Sequence, residues 1–261
     1  MTSTQKLRAR TAPGFIECDA DITAGVKALR RQCAVMRHAH DVAGDPPLRR
    51  RPGGFSGLAR IVVGQQVSIA SANAIWTRLA AAVTPMTPRK IAKATDAELK
   101  AAGLSAPKIR TLRAASEAVL ENRLPIEKLD RFDDAAVHEL LCAVKGIGPW
   151  TADIYILFCL GRADAFACGD LALQIAAAHA AGLDARASPA ELTAMAESWR
   201  PWRGVAARLL WAYYPHMKSG GSTKSGGSIK SGGSIKSGGS IKSGGTIKSG
   251  LKPATDTAEP V

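Results

Sequence analysis

The chain has 261 residues, enough for one or two domains with a sizeable buried core. Lysine and arginine number 35 against 22 acidic residues, and the net charge of +13 fits either a polyanionic partner or an ordinary basic protein. No apolar run is long enough to cross a bilayer and no apolar segment follows the N-terminal MTSTQKLRAR, so we expect a soluble cytoplasmic protein without membrane contacts.

The five cysteines are odd in number and scattered, and none forms a Cys-x-x-Cys pair. Most of them fall inside apolar helical patterns, which is typical of reduced, buried thiols. The sequence therefore predicts neither a zinc site nor a cysteine-bound iron–sulfur cluster.

Residues 1–54 are predicted to form an N-terminal helical segment followed by a loop. One amphipathic segment is indicated by apolar residues at helical spacing, namely Ile22, Val26, Leu29, Cys33 and Met36. Residues 45–54 are rich in helix breakers and predict a loop or hinge. The arginine run 49–51 lies in that loop, where it either contacts a polyanion backbone or forms a solvated charge run.

Helix breakers within residues 55–217 lie where helix caps belong rather than where strand turns belong, which predicts an all-α fold. A capping box is predicted at Thr95 with Glu98, and Gly103 is predicted to end the helix that follows. The strand-like run Ile61–Val63 belongs to a longer apolar stretch that two buried helices explain better.

A short turn joins two apolar helices within residues 140–153. The turn residues are Lys145, Gly146, Ile147 and Gly148. Its two glycines let the backbone turn tightly and expose N–H groups, and its isoleucine is expected to plug the turn onto the core. Amide groups at such a helix start bind a phosphate oxygen without reading a base. The same pattern occurs in ordinary interhelical turns, so the turn alone leaves both roles open.

Asp170 follows Gly169 and precedes an apolar helix that begins at Leu171. An aspartate at this place is most often an N-cap that accepts a backbone hydrogen bond. A helix start also stabilises negative charge, so the same carboxylate can serve chemistry. The two roles are compatible, and the residue alone does not choose between them.

Residues 218–261 form a tail rich in lysine, glycine and serine, with a lysine every six residues from Lys218 to Lys248. Almost nothing in it can be buried, which predicts disorder. Each lysine that neutralises a phosphate would steepen the slope of log affinity for nucleic acid against log salt concentration by about 0.9. The tail is therefore either an electrostatic tether or a solubilising linker.

Four sequence elements are informative in combination: QQVS at 65–68, GLSAPK at 103–108, the hairpin VKGIGPWTADIYIL at 144–157 and DAFACGDLAL at 164–173. Together they resemble the 3-methyladenine DNA glycosylase II (AlkA-type) family of helix-hairpin-helix (HhH-GPD) DNA glycosylases. The resemblance implies a two-lobed helical glycosylase core. It also implies excision of alkylated bases, such as 3-methyladenine and 7-methylguanine, by base flipping from duplex DNA.

The resemblance also assigns roles to individual residues. Asp170 matches the catalytic carboxylate, and Trp150 and Trp211 match aromatic residues that bind the flipped base. The other interpretation of these two tryptophans, above all of Trp211, is core packing. The matched DNA-contacting positions are Gln65, Gln66, Ser68, Lys108, Lys145, Gly146, Ile147, Gly148 and Thr151. No cofactor is implied beyond a Na⁺ or K⁺ ion at the hairpin. The backbone carbonyls matched to that cation belong to Cys142, Val144 and Ile147.

Relatives that also cut the strand carry a lysine nucleophile just after the hairpin, where this chain has Pro149, Trp150 and Thr151. The resemblance together with the missing lysine therefore implies a monofunctional enzyme. The resemblance further implies that the enzyme acts as a monomer at the nucleoid in base excision repair. Two alternatives remain open. One is a non-catalytic DNA-binding protein that uses the hairpin only to hold the backbone, and the other is a glycosylase-lyase, against which the missing lysine and missing cysteine cluster both count.

Overall fold

The computed structural model describes residues 14–218, and every regular element within them is helical. The α-helices are α1 (Asp19–Gln32), α2 (Ala34–Ala43), α3 (Gly54–Gly64), α4 (Ile69–Ala82), α5 (Pro88–Lys93), α6 (Asp96–Ala101), α7 (Ala106–Leu120), α8 (Asp134–Cys142), α9 (Pro149–Ile154), α10 (Leu171–Ala180), α11 (Pro189–Glu197) and α12 (Arg203–Tyr213). Two 3₁₀ helices span Ile126–Arg131 and Tyr214–Lys218, and a π-helix spans Tyr155–Leu160. The all-α prediction is confirmed. The predicted tail from residue 219 onwards lies outside the described residues.

The predicted cap signals coincide with observed helix ends because side chains there satisfy backbone groups that a helix leaves unpaired. The Glu98 N–H donates to Thr95 Oγ1 at 3.2 Å, and the Thr95 N–H donates to Glu98 Oε2 at 2.7 Å. Gly103 follows α6 with a φ of +100°, a backbone conformation that favours glycine. Ile61–Val63 lie inside α3 and are fully buried, so the strand-like run serves helix packing.

The amphipathic segment predicted near the N-terminus is two helices rather than one. Cys33 has φ −139° and ψ 120°, an extended conformation that separates α1 from α2. The break folds the two helices against each other, so that Leu29 and Met36 are both fully buried in one core. The expectation of a single element was wrong because apolar spacing continues across the break and does not reveal it.

The helices before residue 54 share a lobe with the C-terminal helices. Both α1 and α2 pack against α12, and α2 also packs against α10. The N-terminal helices before residue 54 therefore pack as part of the same lobe as the C-terminal helices. The second lobe is built by α3 to α7, where α3 packs on α4 and α7, and α5 and α6 pack on α7. Within residues 14–218 no helix combines the length and apolar character that crossing a membrane requires.

The arginine run lies against the π-helix. Arg50 Nη1 donates to the carbonyl oxygens of Phe158 and Cys159 at 3.2 and 3.0 Å. The backbone N–H of Arg51 donates to the Phe158 carbonyl at 3.0 Å, and its guanidinium lies 5.5 Å from the Phe158 ring centroid. Arg50 and Arg51 are thus engaged within the protein, a role that neither sequence interpretation included.

Candidate active site

Asp170 is the N-cap of α10, and its carboxylate accepts three hydrogen bonds. Oδ1 accepts the backbone N–H of Leu173 at 3.0 Å and the Nε1–H of Trp211 at 3.1 Å. Oδ2 accepts the Nε1–H of Trp150 at 2.8 Å. A carboxylate held by donors from three different elements has little rotational freedom. Capping therefore accounts for only one of the three bonds that hold this carboxylate.

The turn before Asp170 is itself fixed by a side chain of the helix that follows. Gln174 is buried, and its Nε2 donates to the carbonyl oxygen of Cys168 at 2.9 Å. The backbone N–H of Asp170 donates to Ala167 at 3.0 Å. Sequence analysis did not select Gln174, because an amide within an apolar helix is not distinctive without its partner.

Trp150 reaches Asp170 from the start of α9. The residue is half-buried, and it lines a cavity of about 430 Å³ together with residues of the hairpin and of the turn before α4. The described lining comprises Gln65, Gln66, Gly146, Gly148, Trp150 and Thr151. Trp150 therefore presents its N–H edge to the carboxylate while the residue also borders open space.

Trp211 reaches Asp170 from α12, and its surroundings differ from those of Trp150. The residue is only 1% exposed, and its ring lies 5.5 Å from the Phe158 ring, with 30° between the ring planes. The face of the Trp211 ring, which was expected to bind a base, is therefore covered by protein in this structure. The residue is placed at the site as predicted, but it offers its N–H edge to Asp170 instead of its face to a base.

The hairpin turn is seated on α7. Gly146 has a φ of +90°, and a Cβ added there would lie 2.0 Å from Thr111 Oγ1, so both conformation and space require glycine. Ile147 is buried, as the plug prediction requires. A Cβ on Gly148 would meet nothing within 4 Å, so the turn is open on its outer side, where Lys145 is also exposed.

The turn before α4 is joined to the hairpin. Gln65 Nε2 donates to Thr151 Oγ1 at 2.8 Å, and Thr151 itself is buried. The next residue, Gln66, is exposed and has a φ of +55°, which a non-glycine residue rarely adopts. Ser68 caps α4 by accepting the Ser71 N–H at 3.2 Å. The residues predicted in or beside this turn are Gln65, Gln66, Ser68 and Thr151. Among them, the side chain of Gln66 is the least engaged in hydrogen bonds within the described residues.

Lys108 was expected at a DNA surface, but the structure buries it. Its Nζ donates to the carbonyl oxygen of Val63 at 2.7 Å, near the end of α3, and the residue is 8% exposed. Burial lowers the pKa of its ammonium group. Lys108 therefore ties α7 to the end of α3 and does not offer its charge to a phosphate.

The carbonyls matched to a monovalent cation lie around the end of α8. Cys142 is the last residue of that helix, and the Val144 carbonyl accepts the Ile147 N–H at 3.0 Å within the turn. A helix C-terminus concentrates partial negative charge, and carbonyl oxygens suit a hard cation. These donors fit such an ion chemically.

Asp153 lies one helical turn after Trp150. Its burial raises the pKa of its carboxyl group to about 7. His138 on α8 faces it, with Nε2 3.6 Å from Asp153 Oδ1. A half-buried carboxyl group therefore lies between the two helices of the hairpin.

The chain is similar to known DNA repair proteins. A family profile described as HhH-GPD superfamily base excision DNA repair protein matches residues 59–203. DNA-3-methyladenine glycosylase 1 of Schizosaccharomyces pombe is 29% identical over 161 residues, which cover 60% of this chain and 71% of that protein.

Solved structures extend the similarity. The S. pombe 3-methyladenine DNA glycosylase Mag1, solved in complex with abasic DNA, matches with a TM-score of 0.68 and 25% identity. The match covers 77% of this chain and 100% of that one. The DNA-3-methyladenine glycosidase of Bacillus halodurans matches with a TM-score of 0.63 and 31% identity, over 75% of this chain and 91% of that one.

Proposed function

The chain belongs to the HhH-GPD superfamily of base excision DNA repair proteins, and from that premise we propose that it is a monofunctional DNA glycosylase for alkylated bases. The observation that carries the proposal is the Asp170 carboxylate, which two indole N–H groups and a helix N-terminus hold in one orientation. The similarity to 3-methyladenine glycosylases supports 3-methyladenine and 7-methylguanine as its substrate class.

The proposed chemistry needs a single carboxylate. As the N-glycosidic bond breaks, positive charge develops on the sugar, and Asp170 stabilises it electrostatically. Water adds to the anomeric carbon, and its proton leaves to solvent. The alkylated base carries a positive charge before cleavage and departs with the bond electrons as a neutral molecule, so little general-acid help is required.

Trp150 is proposed to contact the base through its ring. The residue borders the cavity next to the hairpin while its N–H holds Asp170. An electron-rich ring face attracts a cationic base, an interaction worth up to about 2 kcal/mol when water is excluded. Trp211 contributes through its N–H to Asp170, since its ring is buried.

The DNA backbone is proposed to lie along the outer side of the hairpin. The turn is open at Gly148, and Lys145 adds an exposed positive charge beside it. A Na⁺ or K⁺ ion on the carbonyls of Cys142, Val144 and Ile147 would add a bridge to a phosphate. Gln66 is exposed on a strained turn, and we assign it to the space that the flipped nucleotide leaves.

The absence of a lysine at 149–151 supports hydrolysis without strand cleavage, because no amine is available there to form a Schiff base with the sugar. The test is single-turnover incubation of the purified protein with methylated duplex DNA, analysed for free base and for strand breaks with and without alkali. We expect release of methylated bases, with strand breaks only after alkali.

Two results would contradict the assignment. Strand breaks without alkali would favour the glycosylase-lyase alternative. DNA binding without any base release would favour the non-catalytic DNA-binding protein, and Asp170 would then be a helix cap only.

A further inference from the structure

Arg208 is a buried cation one helical turn before Trp211 on α12. It is 0% exposed, and its hydrogen bonds within the described residues all go to carbonyl oxygens. Nε donates to Leu48 at 2.9 Å, Nη1 to Gly204 at 2.7 Å and Nη2 to Leu157 at 3.1 Å. Burial, together with the positive charges of Arg50 and Arg49, lowers the pKa of Arg208 to about 9. It is therefore still charged near neutral pH, although burying a charge is costly.

Aromatic contacts connect Arg208 to the carboxylate. Its guanidinium lies 4.8 Å from the centroid of Phe158, and that ring packs on Trp211 at 5.5 Å. The indole N–H of Trp211 then donates to Asp170 at 3.1 Å. Arg208 thus contacts the ring of Phe158 and, through Leu157, the backbone of the π-helix that carries that ring.

We propose that Arg208 is a positioning residue, which holds Phe158 and thereby orients the Trp211 N–H toward Asp170. The proposal rests on the function proposed above, because orientation matters only if Asp170 is catalytic. A guanidinium is attracted to an aromatic face, and its planar set of donors fixes its own geometry against the three carbonyls. A lysine at this position would keep the charge but lose the planar geometry.

The test is a double-mutant cycle measured as single-turnover base release at saturating enzyme. Arg208→Met is expected to lower the rate about tenfold while leaving the affinity for DNA unchanged, since a small misplacement of a catalytic group is sufficient. In a Trp211→Phe background, which already lacks the N–H, Arg208→Met should lower the rate by less than about twofold. An equal loss in both backgrounds would show that Arg208 does not act through Trp211.

Arg162 provides a matched control. Its guanidinium lies 4.8 Å from the Phe15 ring centroid, and its Nη2 donates to the carbonyls of Asp130 and Phe132 at 3.0 and 2.7 Å. Arg162→Met therefore removes a ring contact and carbonyl hydrogen bonds elsewhere, together with an ion pair to Asp134 at 3.2 Å. We expect it to lower thermal stability without slowing base release by folded protein. A rate loss equal to that of Arg208→Met would reduce Arg208 to a structural role and overturn the proposal.

A second readout does not depend on activity. In ¹⁵N-indole spectra, the Trp211 N–H should exchange with solvent faster in Arg208→Met than in wild type. The exchange rate of the Trp199 N–H should not change, although Trp199 as a residue is as buried as Trp211. Phe158→Leu should have the same effect, and it replaces Arg208→Met in both experiments if that variant does not fold. An unchanged Trp211 exchange rate would refute the proposal even if the wild-type protein releases bases. An increased exchange rate in a wild type that releases no base would refute the proposed function and leave the structural link in place.

Discussion

Trp150 and Trp211 donate to the same carboxylate from two regions that are built differently. Trp150 begins α9 behind a glycine turn, is half-buried and borders a cavity. Trp211 lies within α12, is almost fully buried and packs on Phe158. The comparison shows that the contribution of an aromatic residue depends on which part of it is free. Trp150 offers an N–H and a ring face, whereas Trp211 offers only its N–H.

Each tryptophan also lies one helical turn from a buried ionisable group, and the two groups have opposite charge. Burial raises the pKa of Asp153, near Trp150, and lowers the pKa of Arg208, near Trp211. Burial disfavours the charged form in both cases. The hairpin region therefore contains an acid that titrates near neutrality, while the α12 region keeps its charge at that pH.

Among variants of the two tryptophan regions, Trp211→Phe is expected to have the largest effect. The substitution keeps a buried ring but removes the side-chain donor to Asp170 Oδ1, in a place that water does not reach easily. We expect single-turnover base release to fall about 100-fold, with DNA affinity unchanged. Trp199→Phe, which alters an equally buried tryptophan that packs on Phe166, should keep the wild-type rate. Equal losses in the two variants would mean that ring packing alone explains the effect.

Trp150 should show two separable effects. Trp150→Phe removes the N–H but keeps the ring, and we expect a loss of about fivefold, because water in the adjoining cavity can replace the donor. Trp150→Leu removes the ring as well and should cost about another tenfold for a cationic base. Release of an uncharged base measured in parallel should not show the second loss. If Phe and Leu behave alike with the cationic base, the ring face does not bind it.

Asp153 should make the stability of the hairpin depend on pH. Its folded pKa of about 7 lies above the ordinary value of 3.8, so the folded protein holds this proton more tightly than the unfolded chain does. Stability from this group is therefore full below about pH 4 and is lost as the pH rises toward 7. Asp153→Asn should unfold at a higher temperature than wild type at pH 8, and the difference should shrink at pH 5. A difference that is constant with pH would assign the effect to something other than titration.

The smallest effect on the rate is expected from the tail. Deleting residues 218–261 removes seven lysines and leaves the sequence of both tryptophan regions unchanged. If the tail is a tether, the deletion should lower DNA affinity at low salt and flatten the salt dependence by up to about 0.9 per lysine. The single-turnover rate at saturating enzyme should stay unchanged, and a changed rate would contradict a purely electrostatic role.

Local signals made much of the fold predictable. Thr95 with Glu98 marked a helix end because a capping box uses residues three positions apart. Gly146 marked the hairpin turn because its backbone conformation requires glycine. Asp170 could be selected from its position at a helix start together with the resemblance of the surrounding motif.

The remainder depends on contacts between residues far apart in the sequence. Lys108 donates to Val63, 45 positions away, and Arg208 donates to Leu48, 160 positions away. Nothing near either residue in the sequence shows that its charged group donates to a backbone carbonyl. For the same reason the sequence indicated that Trp211 lies near the site but not that Phe158 covers its ring.

The most direct test of the central claim is base release by Asp170→Asn, compared with wild type on the same methylated duplex DNA. Asparagine keeps the cap oxygen for the Leu173 N–H, but its amide nitrogen would face the Trp150 N–H, donor against donor, and the negative charge is gone. We expect this variant to fold, to bind the DNA as wild type does and to release base at least about 100-fold more slowly. Release at the wild-type rate would contradict a catalytic role and leave Asp170 as a helix cap.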